Sequence, residues 1–153
     1  MKALLQRVTS ARVSVEGETV GKIGYGLVVF IGVANEDTAE DIQYLSRKIV
    51  ELRIFDDTDG KFNLSAVDVK GELLLVSQFT LLAATRKGRR PGFTDAAPPE
   101  IAETLFNQFV EQTKTSELKV ETGRFQTHML VEINNDGPVT IFINSKERLN
   151  SRT

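Results

Sequence analysis

The sequence predicts a single α+β domain, a sheet dominated by antiparallel pairing with two main helices against it. Its length, the order of its apolar runs and the brevity of most links between them point there. At 153 residues, 41% hydrophobic and 26% charged, the chain has the size of one ordinary domain and enough apolar side chains for a core. Strand-like runs, a helical repeat, more strand-like runs, a second helical repeat and a last set of strands follow in turn, with several hairpin-length connections. A doubly wound parallel sheet needs long crossovers between its strands, so it is disfavoured.

Ala3 to Val15 mixes Leu, Val, Thr and Ser in polar alternation, and Glu16-Gly17-Glu18 offers a turn before Thr19 to Ile23; an N-terminal hairpin is expected. After Gly24-Tyr25-Gly26, the continuous apolar run Leu27 to Val33 has the pattern of a central strand covered on both faces. Asp37 with Glu40 three residues later suits a capping box, and Ile42, Leu45, Ile49 and Leu52 recur at helical spacing, which predicts a helix over 38–51. Arg53 to Phe55 and Phe62 to Leu64 flank Asp59-Gly60, a turn signal, so a short hairpin follows. Glu72 to Thr80 is a second strongly apolar strand. Ala83 to Ala97 collects small, basic, Gly and Pro residues and reads as a long surface loop. Pro98-Pro99-Glu100 opens a second helix, whose stripe of Ile101, Leu105, Phe109 and Val110 runs to about Thr115. Leu118 to Thr122, Met129 to Asn134 and Val139 to Asn144 complete the strands, and the polar segment 145–153 is expected to fray as a tail.

Composition removes whole classes of chemistry. No cysteine is present, so disulfides, thiolate nucleophiles and Cys-based metal sites are excluded, and the single histidine, His128, cannot build a multi-histidine site. No metal and no cofactor is expected: Asp56, Asp57 and Asp59 lack calcium-loop spacing, and the glycines at 21, 24 and 26 do not form a dinucleotide or phosphate loop. A Ser-His-Asp triad would need His128 and a Gly-x-Ser-x-Gly elbow that is absent; His128 reads as a solvated side chain at a strand edge. The longest apolar run, Leu27 to Ala34, is interrupted by Gly32 and too short to span a bilayer. Arg7, Thr9, Ser10 and Arg12 argue against a secretory signal, so a cytoplasmic address is expected. With 19 basic and 21 acidic residues the net charge is −2, and any contact with RNA must come from a local patch.

One such patch exists. Arg86, Lys87, Arg89 and Arg90 crowd into a loop with Gly88 and Pro91, which suits a phosphate backbone or plain solubility equally well. Two further segments stand out. Ser77-Gln78-Phe79-Thr80 ends an apolar strand on polar residues, and alternation puts Gln78 and Thr80 on one face, as a pocket or an ordinary strand end would have it. Asn135-Asp136-Gly137-Pro138-Val139-Thr140 has the make-up of a hairpin turn.

Taken in order, Gln6-Arg7-Val8, Arg53-Ile54-Phe55, Asn63-Leu64, Ser77-Gln78-Phe79-Thr80-Leu81, Arg90-Pro91 with Phe93, Ala97-Pro98, Glu121-Thr122-Gly123 and the segment 135–140 resemble the D-aminoacyl-tRNA deacylase family. The likeness runs from residue 1 to about 143, with two long separated motifs and collinear lesser ones. It implies a barrel-like sheet, a domain over 1–144, and a homodimer that hydrolyses the ester between a D-amino acid and the 3′ end of tRNA. Ser77, Gln78, Phe79 and Thr80 match the pocket motif that carries catalysis. Gly137-Pro138 matches a Gly-cisPro motif that enters the partner's pocket and rejects L-amino acids, so the active sites would straddle the subunit interface. Val139 and Thr140 finish that motif, Arg7 holds it, and Met129 joins the substrate-binding set. Phe62, Gly92 and His128 depart from the pattern, where Met, Ser and an acidic residue are common.

An aminoacyl ester is already activated, so positioning and donors aimed at the developing oxyanion can suffice for its hydrolysis. The main-chain N–H groups around Gln78, Phe79 and Thr80 are expected to bind the ester carbonyl, with water or the terminal ribose hydroxyl completing proton transfer; Thr80 is the alternative nucleophile. Glycine has no side chain to clash, so glycyl-tRNA is an expected substrate too. The rivals are a non-catalytic RNA-binding module and a small-ligand-binding dimer, the latter favoured if the basic loop turns away from the pocket.

Overall fold

The computed structural model describes residues 1–150. Strand β1 (Lys2–Val15) is the spine of a six-stranded sheet. One edge of β1 takes β3 (Gly26–Gly32) along its first half and β2 (Glu18–Ile23) along its second; the other edge takes β8 (Leu130–Asn144) along its whole length. These pairings are antiparallel, as expected. Two others are not: β6 (Glu72–Ser77) lies parallel to β3, and β7 (Val120–Thr122) parallel to β6. The sheet is therefore mixed, because the links β3 to β6 and β6 to β7 are the two long ones that carry helices α1 (Ala39–Glu51) and α3 (Pro99–Lys114). A short hairpin, β4 (Phe55–Asp56) with β5 (Phe62–Leu64), and the one-turn helix α2 (Ala66–Val69) lie on the first crossover. Helix α2 escaped the sequence reading because four residues are too few to show a period.

The sheet curls until β2 nears β7, where a Cβ on Gly21 would sit 2.7 Å from the Thr122 carbonyl oxygen, so the barrel-like form is nearly closed. Each face buries its own core. Leu5, Leu27, Val29, Ile31, Leu73 and Leu75 face the helices together with Leu45, Ile49, Phe106 and Phe109. Val8, Val13, Val28, Leu74 and Val76 fill the inside of the curl. Strands β3 and β6 thus read as unbroken apolar runs because both of their faces are covered. Gly26 permits their close pairing: a Cβ there would fall 1.8 Å from the Glu72 carbonyl oxygen.

Three local expectations are corrected. The cap of α1 is Thr38, not Asp37, and the carboxylate that returns to the cap N–H (2.8 Å) is Asp41, not Glu40. Asp37 is taken: its oxygens accept the Met1 ammonium at 2.5 Å and the Ala34 N–H at 2.6 Å. Residues 135–139 make no hairpin; β8 continues through them, its extra residues forming a bulge opposite Arg7, while at Thr9 the extra residue lies in β1 itself. Residues 145–149 do not fray. They form a 3-10 turn, with Ser145 fully buried, its N–H donating to the Met1 carbonyl and its hydroxyl to Asp41 at 2.6 Å.

Asp41 ties that turn to α1. Burial disfavours its charge, but the Ser145 hydroxyl, the Thr38 N–H, the Met1 ammonium and Arg148 together outweigh burial and hold the carboxyl below its ordinary range. A depressed folded-state pKa stabilises above the unfolded value, about 3.9, and that contribution is lost as pH falls through the folded value. Asp41→Asn is therefore expected to lower the melting temperature at pH 7, with the gap to the parent protein narrowing in thermal scans as pH falls below the unfolded value of about 3.9.

Candidate active site

A cleft of about 640 Å³ opens where β6 ends. Its walls are the end of β6 with Gln78 and Phe79, the segment Phe93–Pro98 leading into α3, and the segment Phe125–Met129 leading into β8. Val76 and Val131, of the inner core, form its floor.

The register of β6 against β3 ends at Ser77 opposite Ile31, and the Gln78 N–H makes the last bond, to the Ile31 carbonyl at 2.7 Å. The strand then stops short of Thr80. Phe79–Leu82 form a 3-10 turn, so the alternation expected for Ser77 to Thr80 does not apply. Gln78 and Thr80 still share a side, since the Gln78 Nε2 donates to the Thr80 hydroxyl. The first N–H groups of a helical turn have no partner within it, and those of Phe79 and Thr80 meet no acceptor among the described residues. The Gln78 N–H is already engaged, which narrows the available main-chain donors to these two.

Phe79 is 56% exposed and meets Phe93 edge to face, ring centres 5.0 Å apart. That contact anchors the root of the basic loop. Ala84 and Gly92 exchange main-chain hydrogen bonds of 2.7 and 2.9 Å across its neck, and Arg86, Lys87, Arg89 and Arg90 project from it, exposed and without an ion pair among the described residues. The basic patch thus springs from the rim of the cleft.

Ser77, Gln78, Phe79 and Met129 line the cleft; Thr80 adjoins it through Gln78. His128 lines it as well, exposed, and among the described residues is the only ionisable side chain on its walls. Among the described residues no cluster of three or more His, Cys, Asp or Glu could hold a metal.

Arg7, Gly137, Pro138, Val139 and Thr140 gather elsewhere, and none lines the cleft of its own chain. Ala3, Leu5 and Arg7 share one face of β1, so the face that is apolar at its start ends on a guanidinium, only 4% exposed. Its Nε donates to the Asp136 carbonyl (2.9 Å) and one NH2 group to the Ile54 carbonyl (3.0 Å), with the Asp56 and Asp136 carboxylates at 3.4 and 3.5 Å. Asn135 clasps the bulge from within: its Oδ1 accepts the Val139 N–H at 2.8 Å and its Nδ2 donates to the Thr140 hydroxyl at 3.0 Å. Between them the Gly137–Pro138 peptide is cis, Gly137 has φ 138°, and both residues are exposed while Val139 is buried beneath. Tyr25 completes this group; burial pushes its hydroxyl pKa up, with Arg7 opposing and Asp136 and Asp56 assisting.

The cleft walls at Phe93, Pro98 and Phe125 were not legible beforehand. Their contacts join segments far apart in the chain, and an isolated Phe or Pro in a loop carries no periodic signal.

An apolar cleft with neutral polar groups, two unpartnered N–H donors and no side-chain base beyond one exposed imidazole suits a hydrolase of an already activated acyl bond. Residues 4–144 match the family model described as D-Tyr-tRNA(Tyr) deacylase. A D-aminoacyl-tRNA deacylase of Thermosipho africanus is 56% identical over 147 residues, which cover 96% of this chain and 99% of that one. A solved structure described as c-Myc DNA Unwinding Element Binding Protein superposes with TM-score 0.89 at 44% identity, covering 94% of this chain and 98% of that one. A probable eukaryotic D-amino acid tRNA deacylase shares the fold, with TM-score 0.81 at 16% identity over 93% and 97% of the two chains. The chain belongs to the D-Tyr-tRNA(Tyr) deacylase family, enzymes that hydrolyse the ester bond of aminoacyl-tRNA.

Proposed function

We propose that this enzyme releases D-amino acids from tRNA as a homodimer, in the cytoplasm where aminoacyl-tRNA is used, with the Gly137–Pro138 corner of each subunit reaching into the cleft of the other. The observation that carries this reading is the separation within one chain: the corner is exposed and firmly held, yet stands outside its own cleft. In this reading the Phe79 and Thr80 N–H groups receive the ester carbonyl as negative charge develops on it. Water attacks the ester carbon, and a second water or the ribose hydroxyl next to the ester passes its proton to the departing ribose oxygen, so that the free D-amino acid and the tRNA separate. The rim arginines and Lys87 meet the phosphates of the acceptor end. Matched D- and L-aminoacyl-tRNAs presented to the purified protein test it; cleavage of the D form alone is expected, and tRNA binding without cleavage would reduce the chain to a binding module.

Thr80 serves here through its main chain. Its hydroxyl accepts from Gln78, and no carboxylate or imidazole bonds to it among the described residues, so nothing nearby would take its proton. Thr80→Val is expected to keep kcat within roughly tenfold of the parent enzyme, where loss of a covalent nucleophile would cost orders of magnitude more. Steric rejection at the Cα makes a further prediction: glycyl-tRNA is cleaved under the conditions that cleave a D-aminoacyl-tRNA. Its survival would exclude a purely steric filter.

A further inference from the structure

We propose that the β4–β5 hairpin is the positioning device of the Gly137–Pro138 corner, acting through Arg7, and that Asp56 and Phe62 are its positioning residues. The inference rests on the reading above, that the corner selects the substrate's hand.

The Arg7 guanidinium is a rigid planar fork, so whatever fixes its plane fixes the groups it holds. One branch holds the Asp136 carbonyl, directly before Gly137. The other is fixed by the hairpin: the Ile54 carbonyl, at its entrance, accepts at 3.0 Å, and the Asp56 carboxylate stands 3.4 Å away. The Phe62 ring lies over the guanidinium carbon, 5.6 Å from it to the ring centre. Phe62 is half exposed and belongs to neither apolar core, so its placement is not explained by core packing. A Cβ on Gly137 would approach the far nitrogen of Arg7 to 3.3 Å, which shows how closely the fork backs the corner. The hairpin is in turn braced at its base, where Phe55 is fully buried and meets Tyr25 edge to face at 5.4 Å. Its tip is tied by Asp57, whose carboxylate accepts from the Asp59 and Lys61 N–H groups at 2.8 and 3.0 Å and from Asn63 at 2.6 Å. A small brace with its own internal ties thus presses one charged and one aromatic group on the arginine that carries the corner.

The test compares Phe62→Ala, Asp56→Asn and Pro138→Ala with the parent dimer, measuring kcat/KM on matched D- and L-aminoacyl-tRNA, melting temperature and dimer mass. Phe62→Ala and Asp56→Asn should keep the melting temperature and the dimer, because both side chains are about half exposed and lie outside the apolar cores. Their D-to-L selectivity should fall about two- to fivefold, the scale of one half-exposed cation–π contact or ion pair. Phe62→Tyr, which keeps the ring, should restore it. Unchanged selectivity in Phe62→Ala and Asp56→Asn, while Pro138→Ala loses it, would overturn the hairpin's role and leave the corner's intact. Unchanged selectivity in Pro138→Ala would remove the reading on which the inference rests.

Discussion

Arg7→Ala is expected to lose both stability and deacylase activity. The side chain is nearly fully buried, and its removal leaves the Ile54 and Asp136 carbonyls without their donor and opens a void beneath the bulge of β8. Unpartnered buried acceptors cost about 1–3 kcal/mol each, although water entering beside the exposed Gly137 recovers part of this, so a net loss of about 2–4 kcal/mol is expected in denaturant titrations. Activity should fall further than stability explains, because the corner keeps its sequence but loses its support. Arg7→Lys separates the two effects. Lysine retains the charge near Asp56 and Asp136 but cannot hold two carbonyls in one plane. It should recover much of the melting temperature and little of kcat/KM on D-aminoacyl-tRNA. Equal recovery of both would show that Arg7 matters only for folding.

Much of this architecture was legible because it obeys simple periods. The apolar stripe of α1, the Pro-Pro start of α3 and the unbroken runs of β3 and β6 each follow from which faces must be covered. Failures of the sequence reading fall where long-range contacts override a local rule. Asp37 has the chemistry of a cap, but the Met1 ammonium holds it, and the cap moves to Thr38. The segment 135–140 has the composition of a turn, but β1 pairs with the chain on both sides of it and turns it into a bulge. Ser77 to Thr80 continues an apolar strand in sequence, yet β3 ends its pairing at Ile31, and the chain beyond is free to coil. The pocket motif and the corner were visible as unusual strings. The roles proposed for them rest on family likeness, since neither contains a residue type that advertises catalysis.

Mixing two inactive variants should restore activity. Gly137→Ala places a Cβ 2.7 Å from the Val139 side chain and 3.0 Å from its nitrogen, at a φ of 138° that residues with a side chain rarely adopt. The corner must shift, and deacylation should fall by orders of magnitude while the core, which lies elsewhere, keeps the fold. Phe79→Pro disables the cleft instead. It deletes one of the two unpartnered N–H donors and the ring at the rim, yet Gln78, at φ −144° and ψ 84°, lies outside the helical region that a following proline excludes, and proline is tolerated at the first position of a turn. If each cleft is completed by the other subunit's corner, a mixed dimer holds one site with both parts intact and one with both parts damaged. Unfolding and refolding an equal mixture should give about half mixed dimers and so about a quarter of the parent activity, against almost none for either variant refolded alone. Were cleft and corner to work within a single chain, every site in the mixture would carry one defect, and the mixture would stay as inactive as its components.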